Sequence, residues 1–424
     1  MNATEGFTFD FHPGTIVVGA GCVAGLGDEL ERRDHERAML LSGRTVGTTP
    51  AVVDPIRSGL GDRLAAEFPE TTPAKTLGTA LAGLRLAREH DVDVVVAVGG
   101  GSTLDTAKAL SALSSHGQST EDVAKRAVDT GELSVAPHGD PLPIVAVPTT
   151  LAGADLSDIA GVTLTLDRDL PDGADASAGA AAPRNASDGE GNPESGGVGD
   201  PRLMPEALFY DADLYRTTPS AVLAASAMNG FDKGVEMLYS PHATPITDGT
   251  AARGLRLLVG GVGTIREDPM DDERLADVLS GIVNVQYGLA GGDGYRASII
   301  HAFGHGFSHG FDVHQGTVHG VVAPHVLRYV FDAVDGRRRL LAEALGCPMG
   351  DGSDDAVAAA VIDSVEDVRD DLGLPSRLRD IDGIERSDLD DVASAISEDR
   401  LLDVAPDGVD PGIDEIRSIL DRAW

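Results

Sequence analysis

The stretch DVDVVVAVGGGSTLDTAKAL, residues 91–110, constrains the fold more than any other part of this chain. Its unbroken apolar run suits a strand buried on both faces of a parallel sheet. The run passes through three consecutive glycines straight into a helical pattern. Glycines let backbone approach a diphosphate, and the helix N-terminus offers unpaired N–H groups and a partial positive charge. Gly99, Gly100, Gly101 and Ser102 are therefore the expected phosphate-binding turn. Asp105 and Lys108 share one face of the following helix at i and i+3. They read either as groups that hold a ribose or the nicotinamide end of a cofactor, or as a surface ion pair.

The rest of the first 150 residues repeats this logic. Short β-branched runs at 15–18, 38–41, 92–98 and 144–147 alternate with helical patterns such as 23–32 and 77–89. Such alternation predicts an open parallel sheet with helices on both faces, a Rossmann-like α/β domain. In VPTTLAGADLSDIAG, Thr149 and Thr150 follow another buried strand, at the sheet edge where ligands of open α/β sheets bind. The earlier turn VVGAGCVAGLGDEL offers Gly19, Gly21 and Ala24, a looser G-x-G-x-x-A form. After the second strand, AMLLSGRT has Ser42, Gly43 and Arg44 where a ribose-selecting acid would stand. Without a carboxylate to repel a 2′-phosphate, and with Arg44 nearby, NADP(H) is tolerated on this reading, so the expected cofactor is NAD(H) or NADP(H), with Ser42 among its binding residues. Arg44 as a plain surface residue is the other reading.

Asp and Glu number 69 against 33 Lys and Arg, a formal charge of −36. Such a field repels nucleic acids and anionic membranes and leaves a small molecule as the expected partner. Lysine is confined to Lys75, Lys108, Lys125 and Lys233. This carboxylate-rich, lysine-poor composition is the one expected for a halophilic protein, because molar salt shortens the Debye length to about 3 Å and screens self-repulsion. Cys22 and Cys347 permit one bridge at most and no thiolate metal cluster. There is no basic, apolar leader and no run of about 18 apolar residues, so the expected location is the cytoplasm.

Residues 171–200 read PDGADASAGAAAPRNASDGEGNPESGGVGD, with Val198 as the one large aliphatic side chain. Such a segment buries too little surface to offset its ordering entropy, which predicts a disordered acidic loop at 167–203. Helical periodicity dominates from residue 219 onward. The expected organisation is an α/β cofactor-binding domain at 1–166, the loop, and an all-α substrate and catalytic domain at 204–424.

Six of the twelve histidines fall between 301 and 325: His301, His305, His309, His314, His319 and His325. In IIHAFGHGFSHGFDVHQGTVHG, His301, His305 and His309 recur every fourth residue, a slowly turning stripe on a helix face. His319 follows ten residues later. Imidazoles so spaced bring two nitrogens to one metal or supply a general acid near neutral pH. For His301, His314 and His325 a structural place is the expectation.

GGGSTLDTAK, PTTLAG and HGFSHGFDVHQGTVHG, in that order, resemble the iron-containing alcohol dehydrogenase family, which shares its fold with dehydroquinate synthase. FHPGTIVVGAG near the start, and GLPSRLRDIDGIERSDLDDVA with EIRSILDRAW at the end, extend the likeness across nearly the whole chain. SAMNGFDKGVEMLY, and the set His305, His309, Phe311 and Asp312, are closest in pattern to maleylacetate reductases. The resemblance implies an NAD(P)-dependent oxidoreductase acting on CH–OH or CH–CH groups, with hydride transfer to a small oxo or enoic acid. A homodimer is common for the fold.

Metal-dependent members of the family hold their ion with an Asp and a His one helical turn apart and two further histidines. The matching positions here are Asn229, Lys233, His305 and His319. An ammonium has no lone pair and repels a divalent cation, so the resemblance implies catalysis without a tightly bound metal. Asp232 as a substitute ligand is the less favoured alternative. Lys233 is then expected to take over the ion's electrostatic task or to bind a substrate carboxylate, with His309 or His319 as proton donor. Two other readings stay open: a metal-dependent alcohol dehydrogenase with an altered ligand set, and a non-catalytic nucleotide-binding relative.

Overall fold

The computed structural model describes residues 14–168, 195–290, 297–308, 311, 313–348 and 352–424. It divides into two compact units after Thr218, rather than at the expected residue 204. Among the described residues eight strands form: β1 (Thr15–Val18), β2 (Ala38–Gly43), β3 (Leu64–Thr71), β4 (Val94–Gly99), β5 (Ile144–Pro148), β6 (Ile159–Thr163), β7 (Ser195–Gly199) and β8 (Ala207–Tyr210). Six of them make one parallel sheet in the order β1-β8-β5-β4-β2-β3. The boundary moves because β8, only four residues long, inserts between β1 and β5 and belongs to the sheet.

Strands β2, β4 and β5 are buried almost throughout. Being apolar on both faces, they need cover on both. The helices Leu26–Arg32 and Pro50–Leu60 cover one face, where Leu26, Val52 and Ile56 pack with Leu40, Val96 and Val145. The helices Leu77–Glu89 and Gly101–Ser114 pack together on the other, as right-handed crossovers running the opposite way along the sheet require.

Two local expectations fail. The strand β3 goes unanticipated because LAAEFPET carries Glu67, Pro69 and Glu70. It lies at the sheet edge, the place where a strand tolerates proline. Residues 195–203 belong to the expected disordered loop, yet β7 pairs antiparallel with β6 and Val198 is 1% exposed. The ladder offered by β6 supplies partners that the composition of SGGVG does not announce. The body of that loop, 169–194, lies outside the described residues.

The second unit is helical, as expected. Its Ser220–Tyr239 helix packs against the helices Pro245–Gly261, Asp272–Ala290 and Gln315–Ala333. Gly316 permits the last of these contacts, since a Cβ there would fall 1.8 Å from Ala225 O. No described helix is long and apolar enough to cross a membrane.

Candidate active site

The direction of travel along the sheet reverses between β2 and β4: β2 leads to β3 on one side, β4 to β5 on the other. Ligands of open α/β sheets bind outside the carboxyl ends of the strands at such a reversal. There Ser42 lies opposite Val98 in register, and β4 runs out into Gly99. Gly99 has φ +147°, a conformation that a side chain would disfavour, and its carbonyl accepts from Thr149 N at 3.0 Å. That bond ties the turn after β4 to the turn after β5. A Cβ at Gly100 would stand 3.1 Å from Thr150 Cγ2.

Thr103 and Leu104 donate to Gly100 O, so the Gly101 and Ser102 amides precede the ladder of the Gly101–Ser114 helix. Gly99, Gly100, Gly101, Ser102, Thr149, Thr150 and Ser42 thus come to one sheet edge, where glycine backbone and a helix N-terminus could hold a diphosphate. Ser42 is 1% exposed, leaving Gly43 and the exposed Arg44 as the accessible end of β2.

Asp105 and Lys108 take places that their spacing does not announce. The alternative of a surface ion pair does not hold, because both side chains are buried. Asp105 is buried and bonded to Lys75, Nζ to Oδ2 at 3.0 Å, with Lys75 itself buried in a turn of φ +49°. Lys108 is fully enclosed, and its ammonium donates to Ala154 O at 2.7 Å and Ile159 O at 3.0 Å. Burial pushes its pKa below that of an ordinary lysine, against the upward pull of Asp105, Asp155 and Asp158. Lys108 therefore holds the segment after Thr150 onto the helix. Tyr210 OH donates to Asp155 in the same segment. The Gly19–Gly21–Ala24 turn is also occupied internally: Gly21 N and Val23 N both donate to the buried Asp211 carboxylate, at 2.9 and 3.0 Å.

In the second unit, the Ser220–Tyr239 helix places Asn229, Asp232, Lys233 and Glu236 at i, i+3, i+4 and i+7, along one face. Asn229 Nδ2 donates to Gln315 Oε1 at 3.1 Å. Glu236 is fully buried. It accepts from Ser298 N at 2.8 Å and Ile300 N at 2.6 Å, and faces His301 Nδ1 at 2.6 Å. Burial raises its carboxyl to about 7, with those two amides working against the shift.

The His301 and His319 rings meet edge to face with centroids 4.5 Å apart. His319 Nδ1 approaches Asp232 Oδ2 to 3.3 Å without the geometry of a hydrogen bond. Burial first, and the Lys233 charge among the further causes, hold both imidazoles toward the neutral form. Burial, reinforced by Glu236, also raises the Asp232 carboxyl well above its usual value. His319 is pressed against helix backbone, since a Cβ on Gly304 would lie 2.2 Å from its Nε2. His305 Nδ1 sits 2.8 Å from Asp399 Oδ2, while Asp399 Oδ1 accepts from Leu401 N at 2.8 Å.

Asn229, Lys233, His305 and His319 are therefore neighbours in one helical unit. His309 and Asp312 lie outside the described residues. Sequence reasoning missed Asp399, which no local pattern links to a histidine 94 residues away. It also missed Glu236, whose signal was present: an acid seven residues after Asn229, on the helix face that also carries Asp232 and Lys233.

The family model described as iron-containing alcohol dehydrogenase matches residues 13–170, and that of the family's C-terminal part matches 223–424. The chain belongs to the iron-containing alcohol dehydrogenase family and is an oxidoreductase. It is similar to maleylacetate reductase of Pseudomonas knackmussii, 28% identical over 401 residues that cover 93% of this chain and 92% of that protein. It is also similar to lactaldehyde reductase of Escherichia coli K12, 24% identical over 393 residues, 91% and 92% of the two chains. The solved sulfoacetaldehyde reductase of Bifidobacterium kashiwanohense, in complex with NAD+, shares the fold at a TM-score of 0.80 and 18% identity over 99% of each chain.

The metal in the family's name meets an ill-suited donor set here. At the four matching positions Asn229 brings a neutral amide, Lys233 a cation, and His305 and His319 the two imidazoles. Among the described residues no three His, Cys, Asp or Glu side chains converge as a metal site. These residues do not fit a four-ligand divalent centre.

Proposed function

We propose that this enzyme is an NAD(P)H-dependent reductase of small oxo or enoic acids, maleylacetate reductase-like, working without a tightly bound metal. The observation that carries this reading is Lys233, a cation one helical turn beyond Asn229 whose charge is felt by both His301 and His319. Similarity to a maleylacetate reductase and a lactaldehyde reductase supports a small oxygenated substrate.

The glycine cradle at Gly99–Ser102, with Thr149 and Thr150, would hold the dinucleotide, and a reduced nicotinamide supplies the hydride. Lys233 stabilises negative charge developing on the substrate's carbonyl oxygen, and its charge also favours a carboxylate substrate. His305 moves the proton. Its Nδ1 is directed at Asp399, which leaves Nε2 for the substrate. His319 is the weaker candidate because it is enclosed and held neutral.

A substrate panel with NADH and NADPH, run with and without chelator alongside elemental analysis, tests this. Chelator-insensitive reduction of an oxo or enoic acid by protein with substoichiometric metal supports it. Activity that chelator abolishes and Fe2+ or Zn2+ restores replaces it with a metal-dependent alcohol dehydrogenase.

A further inference from the structure

We propose that Arg44 selects NADP(H) over NAD(H) by binding the 2′-phosphate, an inference that rests on the nucleotide reading above. Arg44 directly follows β2, one of the two strands that flank the reversal of the sheet. In dinucleotide-binding sheets an acid near the end of the second strand takes the ribose 2′-hydroxyl of NAD, whereas an Arg accommodates a 2′-phosphate. Here Ser42, Gly43 and Arg44 stand at that strand end and none is an acid; of these, Gly43 is the accessible position at the end of β2 that could carry one. The fold does not impose that glycine: its φ of −74° and ψ of 158° suit any residue, and an added Cβ would meet nothing nearer than Thr71 O at 3.5 Å.

Charge around the position points the same way. The exposed Arg44 guanidinium makes no hydrogen bond or ion pair with the described residues. The acids on the adjoining strand β3 are already compensated: Glu67 by Arg57 at 2.6 Å, and Glu70 by Arg168. In a chain of formal charge −36, Arg44 is thus an uncompensated cation at the edge where the cofactor would lie. A guanidinium fork suits a phosphate through paired, charge-assisted hydrogen bonds, whereas a bare 2′-hydroxyl gains little from it.

The test is calorimetric binding of NADPH, NADH and 2′,5′-ADP at one fixed salt concentration, to the unmodified enzyme, Arg44→Ala and Gly43→Asp. The unmodified enzyme should bind NADPH about tenfold or more tighter than NADH, and 2′,5′-ADP should compete with NADPH. Arg44→Ala should lose that preference with NADH affinity and thermal midpoint unchanged, and Gly43→Asp should reverse it. Equal or tighter binding of NADH by the unmodified enzyme overturns the proposal while leaving the nucleotide reading intact, as does equal weakening of both cofactors in Arg44→Ala. Failure to bind either cofactor overturns the nucleotide reading itself.

Discussion

Lys75 Nζ and Asp105 Oδ2 meet at 3.0 Å, and both side chains are buried. The bond joins the turn before the Leu77–Glu89 helix to the helix that follows the glycine turn. Removing Lys75 leaves the enclosed Asp105 without its ion-pair partner and with the nearby Lys108 charge as partial compensation, so Lys75→Met should lower unfolding free energy by about 3 kcal/mol. Adding Asp105→Leu should recover part of that loss, because an apolar pair replaces a buried ion pair at little cost. Denaturant melts of the two single variants and the double variant measure the coupling; strict additivity would show that the pair does not act as a unit.

Lys233→Met should reduce turnover about 100-fold or more, the scale of losing one electrostatic stabiliser of transition-state charge, with nucleotide affinity intact. Lys233→Arg should restore part of the rate, since the charge returns in a different shape. Steady-state kinetics beside direct cofactor binding separate the two effects. Undiminished turnover in Lys233→Met removes the residue from the mechanism.

On the proposed mechanism Asp399 acts through its 2.8 Å contact with His305 Nδ1, as a positioning residue. Asp399→Asn should therefore lower kcat roughly 10- to 100-fold while leaving KM and the thermal midpoint nearly constant, with Asp399→Glu intermediate. A loss confined to KM or to stability would instead mark Asp399 as a simple helix cap for the turn at Arg400–Val404.

His325 lies on the Gln315–Ala333 helix, where burial, reinforced by Arg328, Arg422, Arg369 and Arg377, pushes its imidazole from 6.5 down to about 4. The folded value lies below the unfolded one. The ring's contribution is thus complete above about pH 6.5 and disappears as pH falls through about 4. Discounted for partial exposure, the effect is about 1–2 kcal/mol. His325→Gln should therefore gain on the parent protein by about that amount between pH 7 and pH 4. Paired denaturation curves at the two pH values give the difference.

The strand–glycine–helix turn at 94–114 was legible because its signal is local: a continuous apolar strand, glycines and a helix start occupy a dozen adjacent residues. Edge strand β3 was hidden by Pro69 and two glutamates, and β7 by glycines whose pairing depends on β6. The burial of Lys108 was hidden for a different reason. Spacing reports which residues share a helix face but not whether that face meets solvent, and Thr103 through Leu113 are all buried. In the helical unit, resemblance supplied Asn229, Lys233, His305 and His319, whereas the Glu236–His301 and His305–Asp399 contacts span 65 and 94 residues and leave no local trace.

The placement of the lysines has a practical consequence. Lys75 and Lys108 are buried, Lys233 is half-buried, and Lys125 stands exposed on the helix Thr120–Thr130. Amine-reactive reagents should therefore modify one side chain, Lys125, far faster than any other. Apart from the α-amino group, which reacts with the same reagents, Lys125 thus offers a dye, a biotin or a solid support one point of attachment without engineering the chain.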